Sequence, residues 1–98
     1  MPTPASEQVL RAVDLLRALT APVRITIVLA LADRERPVHE LVEVTGASQS
    51  LVSQHLRVLR GAGVVRATRH GREVIYSLQD QHVVHIVQDA VTHAGETH

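Results

Sequence analysis

The sequence contains no cysteine, one aromatic residue and no apolar run long enough to span a bilayer. Without cysteine the chain forms neither a disulfide nor a thiolate metal site, so any metal ion must be held by nitrogen and oxygen ligands. With Tyr76 as its single aromatic residue, the chain offers no stacking platform for single-stranded nucleic acid and needs an aliphatic core of closely packed helices. We find no signal-peptide pattern at its start and expect a cytoplasmic protein with no membrane partner.

The length of 98 residues is enough for one compact domain and too short for two. We therefore expect residues 1–98 to form a single domain. Because a chain this short buries only a modest fraction of its surface, we expect a partner to add stability.

Positive charge is concentrated in one segment, although the net charge is zero. Five arginines and no acidic residue lie between Ser48 and Arg72. Such a segment can bind a polyanion locally, while the acidic remainder of the chain limits non-specific adhesion. The alternative is a basic face that is merely solvated.

Apolar residues spaced by three and four predict two helices in the first third of the chain. The first extends from about Ser6, its N-cap, to Leu19, and the second from about Val23 to Ala32, with Pro22 in its opening turn. The charged segment 33–37 is expected to be an irregular break after them.

A helix-turn-helix is predicted at about residues 38–61. A short helix at 38–44 is followed by a turn that contains Gly46, and a long amphipathic helix then extends from Ser48 to Gly61. Two helices joined by a tight, glycine-containing turn are typical of this motif.

A β-hairpin and a last helix complete the chain. The hairpin is predicted at about residues 64–78, where two β-prone runs flank a basic tip that contains Gly71. The last helix is predicted at about residues 80–94, between Asp80 as N-cap and Gly95. The expected fold class is mainly α with a small β-hairpin, a winged helix-turn-helix.

The helix from Ser48 to Gly61 has the composition of a recognition helix. Short polar side chains occupy its first turns and arginines follow, which suits contacts with base edges and with phosphates, respectively. Together with two arginines at the hairpin tip, the predicted DNA-binding residues are Gln49, Ser50, Ser53, Gln54, Arg57, Arg69 and Arg72. The other arc of the helix is predicted to be apolar and contains Leu51, Val52, Leu56, Val58 and Leu59. His55 lies within that arc, and we interpret it as packed or half-buried rather than as a DNA contact.

Three segments, residues 19–25, 48–60 and 71–78, resemble the ArsR/SmtB family of metal-sensing winged-helix repressors. The most specific are SQSLVSQHLRVLR in the recognition helix and GREVIYSL in the wing. The resemblance implies a homodimer, built on the first and last helices, that binds an inverted repeat in double-stranded operator DNA and is released by an inducer. Many members have Ser-His-Gln-Leu where this chain has Ser53-Gln54-His55-Leu56, a difference that affects the base contacts and not the fold.

Histidines and acidic residues share one face of the predicted last helix, within an arc of about 80°. These residues are His82, His85, Asp89, His93 and Glu96. His82 and His93 are about 16 Å apart along a helix, too far for one ion. Two such helices packed antiparallel across a two-fold axis would place His82 of one chain beside His93 of the other, twice over.

With the carboxylates that neighbour these histidines, the predicted metal ligands are Asp80, His82, His93 and Glu96. Zinc accepts two imidazoles and two carboxylates in a tetrahedral site. The same four residues resemble the zinc site on the last helix of the ArsR/SmtB family. The resemblance further implies that the second ring nitrogen of His93 connects this site to the main chain near Gly63.

Nickel and cobalt remain open as alternatives to zinc. In the ArsR/SmtB family, sensors of these metals recruit further histidines from the N-terminal tail, and residues 1–21 contain none, which favours zinc. His85 and His98 are candidates as additional ligands and keep the alternatives open. Sites for arsenic, cadmium or lead that depend on cysteine are excluded by composition.

The sequence therefore predicts a repressor that binds operator DNA as a metal-free homodimer and releases it on binding zinc. One alternative keeps the fold and replaces zinc by nickel or cobalt, or by no metal. An enzyme is not expected, because no acid–base pair lies in a recognisable motif and a four-ligand site leaves no position for water. No small-molecule substrate is expected.

Overall fold

Residues 6–96, the part of the chain that the computed structural model describes, form five helices and three short strands. In chain order, these are α1 (Glu7–Leu19), α2 (Pro22–Asp33), β1 (Arg36–Pro37), α3 (Val38–Thr45), α4 (Gln49–Gly61), β2 (Val65–His70), β3 (Glu73–Leu78) and α5 (Gln81–Gly95). Each predicted helix lies within one residue of its expected bounds, and the expected fold class is confirmed. The start of the chain and His98 lie outside the described residues.

Side-chain oxygens determine where three of the helices begin. Ser6 and Ser48 each accept, through Oγ, a hydrogen bond of 3.1 Å from the backbone N–H three residues further on. Asp80 Oδ1 accepts from the backbone N–H of His82 at 2.9 Å, so its predicted role as an N-cap is confirmed. Each oxygen satisfies an N–H group that has no partner within its own helix.

The core is a layer of aliphatic side chains between α2, α3 and α4, closed by β2 and the first half of α5. Its most deeply buried members are Ile27, Val28, Leu41, Val52, Leu56, Leu59 and Val64. The last helix adds Val83, Val84 and Val87. Half-buried Tyr76 packs against this cluster from β3, so the single aromatic residue lies at the edge of the core.

No single helix within residues 6–96 has the length and apolar character needed to cross a membrane. Taken together, α1 and α2 have the required length and apolar character, but the chain is bent by 94° at their junction.

The segment 33–37, expected to be irregular, contains a third strand. Arg36 lies opposite Tyr76 and Pro37 opposite Ile75, which gives the sheet order β1-β3-β2. The prediction was wrong here because two residues show no periodicity, and their partner strand lies far along the chain.

Arg36 holds this strand in place. Its guanidinium donates to the Ala30 carbonyl at 3.0 Å and pairs with Asp33 at 3.1 Å and with Glu40 at 3.2 Å. Arg34 also pairs with Glu40. The hydrogen bond from Arg34 lowers the pKa of the Glu40 carboxyl below its ordinary value, and Arg36 lowers this pKa further. The network joins the end of α2 to α3 and, through β1, to the hairpin.

Several apolar side chains on α4 and α5 are exposed. On α4, Leu51 and Val58 belong to the predicted apolar arc and are 41% and 40% exposed, because the core covers only a narrow stripe of the helix. On α5, the spacing places Ala90, Val91 and Ala94 on the face that can pack on the domain, but all three are exposed. No described residue after Val87 is buried, since the second half of α5 projects past the core.

We predict opposite effects of alanine at two glycines near the ends of α4. Gly46 has a φ of +70° and Gly61 is helical, while a Cβ at either position would meet no atom within 4 Å. Because only backbone conformation differs, Gly46→Ala should lower the free energy of unfolding by about 1–2 kcal/mol. Gly61→Ala should raise it by up to about 1 kcal/mol. Urea unfolding followed by circular dichroism at one protein concentration measures both, and equal effects would contradict the left-handed turn before α4.

Candidate nucleic-acid interface and metal-binding helix

One side of α4 is buried and the other faces solvent. Val52, Leu56 and Leu59, spaced by four and three, pack into the core and determine the rotation of α4 about its axis. As a result, every DNA-binding residue predicted on this helix is exposed, namely Gln49, Ser50, Ser53, Gln54 and Arg57.

The turn before α4 leads the chain into the N-terminus of this helix. Gly46 adopts the left-handed conformation that ends α3, and its N–H donates to the Val42 carbonyl at 2.9 Å. The first turn of α4 contains no acidic residue, so no carboxylate there offsets the partial positive charge of its N–H groups. A phosphate beside this end of the helix would therefore be stabilised.

The hairpin between β2 and β3 forms a basic wing. His70 lies opposite Glu73, so the connecting loop consists of Gly71 and Arg72. Gly71 has a φ of +64°, the conformation that a type II′ turn requires at its first central residue. Arg69 at the end of β2 and Arg72 in the turn are both exposed, which leaves their guanidinium groups accessible to phosphates.

Arg24 on α2 was not among the predicted site residues, but it contacts the predicted recognition helix. His55 is half-buried, as predicted, and its Nδ1 accepts a hydrogen bond from Arg24 Nε at 3.0 Å. Arg24 is the sole charged residue in the segment 22–32. That isolation was a sequence signal for a specific partner, although it did not indicate which one.

The four predicted metal ligands lie in two pairs at opposite ends of α5. At its start, His82 Nδ1 lies 3.7 Å from Asp80 Oδ1, and at its end, His93 Nδ1 lies 3.9 Å from Glu96 Oε2. The side chains are exposed, His82 to 95% and His93 to 75%. Each pair therefore presents one imidazole and one carboxylate at the surface.

A single chain does not bring these two pairs together. Within residues 6–96, no three His, Asp or Glu side chains form a group that could hold an ion. The rise of the helix keeps His82 and His93 about 16 Å apart. Asp80 caps the helix through one oxygen, and its carboxylate has a second. Each pair thus contains two of the four predicted ligands, and His85 is exposed on the same helix.

The first and last helices present apolar side chains to solvent, which we call the α1–α5 surface. Its most exposed members are Val9, Leu10, Val13, Leu16, Ile86 and Val91. An open cleft of about 190 Å³ lies between the two helices, with Leu16, Leu19, Ile86 and Ala90 among its lining residues. The α5 part of this surface lies on the helix that has the predicted ligand pairs at its two ends.

The chain is similar in sequence to known transcriptional regulators. The family described as bacterial regulatory protein, arsR family, matches residues 21–67, from the turn before α2 into β2. The HTH-type transcriptional repressor SmtB of Mycobacterium tuberculosis (H37Rv) is 57% identical over 96 residues, which cover 97% of this chain and 71% of that protein. The HTH-type transcriptional regulator NmtR of the same organism is 42% identical over 83 residues, which cover 85% and 69%.

The fold is also found in solved structures. The transcriptional repressor BigR from Xylella fastidiosa has a TM-score of 0.84 at 30% identity, with 93% of each chain covered. These relatives are transcriptional regulators and not enzymes. Because sequence and fold agree with them over nearly the whole chain, this protein belongs to the ArsR/SmtB family of metal-sensing winged-helix transcriptional repressors.

Proposed function

We propose that the protein is a cytoplasmic zinc-responsive repressor, which binds operator DNA as a metal-free homodimer and releases it when zinc binds. The observation that carries this proposal is the separation of two half-sites, Asp80 with His82 and His93 with Glu96, at opposite ends of one helix. Such half-sites are completed only by a second copy of the chain.

The DNA-binding role is supported by the exposure of the predicted residues on α4 and the wing. Polar side chains in the first turns of α4 suit hydrogen bonds to base edges in the major groove. The same basic segment contains three exposed arginines, Arg57, Arg69 and Arg72. Their guanidinium groups suit the phosphates on either side of the major groove. The protein therefore has separate groups for specificity and for general affinity.

The homodimer is supported by the α1–α5 surface. Val9, Leu10 and Leu16 are each about half exposed in the single chain, and burying them against a second copy would remove apolar area from water. A two-fold axis at this surface, perpendicular to α5, would set the two α5 helices against each other in opposite directions. That arrangement is the one in which each half-site meets its complement.

The metal ligands are supported by the chemistry of the donor set. Two imidazoles and two carboxylates match the preference of zinc for four nitrogen and oxygen ligands at about 2.0–2.2 Å. When bound, zinc would supply a rigid cross-link between His82 of one protomer and His93 of its partner. His85, exposed on the same helix, is the observation that favours nickel or cobalt as the alternative, since those ions accept more ligands.

The effect of zinc on DNA affinity follows from the position of the site. A ligand shifts an equilibrium only by binding one state better than the other. A site that joins the two α5 helices can restrict how the protomers rotate, and so can change the spacing of the two recognition helices relative to successive major grooves. His93 would also act through its second ring nitrogen toward the main chain near Gly63, as the family resemblance implies.

For DNA binding, we expect some substitutions to lower the affinity for the operator alone and others to lower the affinity for every DNA sequence. Ser53→Ala or Gln54→Ala should weaken specific binding, with about 1–3 kcal/mol for each good base contact. Arg72→Ala should weaken binding to all sequences and reduce the salt dependence, because it removes a phosphate contact. Titration of a selected operator and a scrambled duplex at several salt concentrations separates these effects. Arg11→Ala removes one positive charge from exposed α1 and is the matched control; an operator affinity unchanged in the other three variants would refute the assignment of α4.

For metal response, we expect His93→Ala to abolish zinc-driven release while the metal-free protein still binds operator DNA. Glu96→Ala should weaken zinc binding but keep some release at saturating metal, because the imidazole remains. Fluorescence anisotropy of a labelled operator, titrated with zinc, nickel and cobalt in turn, measures the release. Release by nickel or cobalt but not by zinc would select the alternative metal, and operator affinity that ignores all three would exclude metal control.

Mixed dimers test the inter-chain site directly. A chain with His82→Ala, combined with a chain with His93→Ala, should retain one intact site, whereas wild type binds two ions per dimer by symmetry. Each variant alone should bind none with full affinity. Zinc binding by equilibrium dialysis gives the stoichiometry, and a mixture that binds no zinc would show that the ligands do not come from opposite chains.

A further inference from the structure

We propose that Arg24 is a positioning residue, which holds the recognition helix α4 at a set orientation relative to α1 by hydrogen bonding to His55. This inference rests on the proposed function, because it assumes that α4 contacts operator DNA and that α1 lies in the dimer interface. It assigns a role to two residues that neither the DNA-binding set nor the metal-binding set includes.

Arg24 connects three helices through one guanidinium group. From its place near the start of α2, Nε donates to His55 Nδ1 on α4 at 3.0 Å. One terminal nitrogen donates to the carbonyls of Ala18 at 3.3 Å and Arg17 at 3.4 Å, both at the end of α1. The bonds to His55 and Ala18 are half-buried, so competition from water for them is reduced, whereas the bond to Arg17 is exposed.

The chemistry at the α1 end suits a cation. The last carbonyls of a helix have no partner within the helix and carry its partial negative charge. The Arg17 carbonyl already accepts from the Thr20 N–H at 3.2 Å and the Thr20 hydroxyl at 2.8 Å. The Arg24 guanidinium adds a third donor there and also donates to the Ala18 carbonyl. It stays charged at any relevant pH. Its planar shape also ties the direction of Nε to that of the terminal nitrogens, so a movement of the end of α1 is transmitted to the bond with His55.

The chemistry at the α4 end requires an acceptor. Because the guanidinium only donates, His55 Nδ1 must be unprotonated and the ring carries its proton on Nε2. Elsewhere α4 packs through Val52, Leu56 and Leu59. Their burial determines which side of α4 faces the core, but each aliphatic contact has no preferred angle. The hydrogen bond from Arg24 to His55 adds a directional contact. His55 directly follows Gln54, which belongs to the proposed DNA-binding surface.

The α1 carbonyls that accept from Arg24 are adjacent to the α1–α5 surface. Arg17 and Ala18 lie between Leu16 and Leu19, which both line the cleft toward α5. A change in how two protomers pair would therefore act on the same turn of α1 that Arg24 holds. The path from interface to recognition helix is then α1, Arg24 and His55.

The experiment compares two replacements of His55. His55→Gln keeps an acceptor oxygen and should leave specific binding within about twofold of wild type, whereas His55→Leu removes the acceptor and should weaken it about tenfold. The probe is a duplex selected from a random-sequence pool by the wild-type protein, with a scrambled duplex for non-specific affinity. Because neither variant changes the surface arginines, the scrambled duplex should bind equally to all.

A double-mutant cycle with Arg24→Lys completes the test. Lysine keeps the charge near α1 but has one nitrogen in place of the planar fork, so it loses the fixed geometry between the two helices. Arg24→Lys should also lower the ratio of specific to non-specific affinity about tenfold, and the double variant Arg24→Lys, His55→Leu should lower it no further. Thr26→Val, which removes a hydrogen bond within α2, is the matched control and should leave the ratio unchanged.

The outcomes are distinct from those that test metal control. Partial unfolding lowers both affinities together, so a ratio that stays constant in Arg24→Lys and His55→Leu would overturn the positioning role. Additive losses in the double variant would overturn it as well. The cycle is measured on metal-free protein, so a wild type that ignores zinc would defeat the proposed metal response while the cycle still decides the role of Arg24.

Discussion

Burial of Val52, Leu56 and Leu59 determines which side of α4 faces solvent, and the predicted DNA-binding residues of this helix are exposed because of this one-sided packing. Complete burial of an aliphatic side chain contributes about 1.5–3 kcal/mol. Rotation of α4 about its axis would expose these residues and bury polar side chains without partners, which costs further free energy. The orientation of Gln54 and Arg57 toward solvent is therefore a consequence of packing on the far side of the helix. The short turn at Gly46 and the cap at Ser48 determine only where α4 begins.

The last helix combines two tasks because its two halves have different surroundings. Its first half packs on the domain through Val83, Val84 and Val87, while its second half extends past the core. The ligand pairs at its ends and the apolar residues beside α1 then lie on one exposed element. In the proposed function, assembly and metal binding would involve the same helix, which is the physical basis on which zinc would alter the relative placement of the two α4 helices.

Arginines supply the directional contacts that an aliphatic core lacks. Arg36 joins the Ala30 carbonyl to Asp33 and Glu40 and so holds β1 beside the wing. Arg24 joins the end of α1 to His55 on α4 in a similar way. In both cases a planar group with several donors reaches carbonyls at a helix end and a side chain on another element. The wing and α4, which in the proposed function bind one DNA duplex, are each held by such a contact.

The sequence by itself determined the helix bounds, because capping and turn signals such as Ser6, Gly46 and Asp80 act on neighbouring residues. It also predicted that His82 and His93 are too far apart for one ion, since helical rise is independent of context. It could not predict β1, whose two residues acquire a partner only when β3 is brought beside them, nor the exposure of Leu51 and Val58, which depends on how wide a stripe the core covers. The bond between Arg24 and His55 was likewise decided by the tertiary structure alone. A pairing of side chains far apart in sequence exists only after packing has set the distance between their helices.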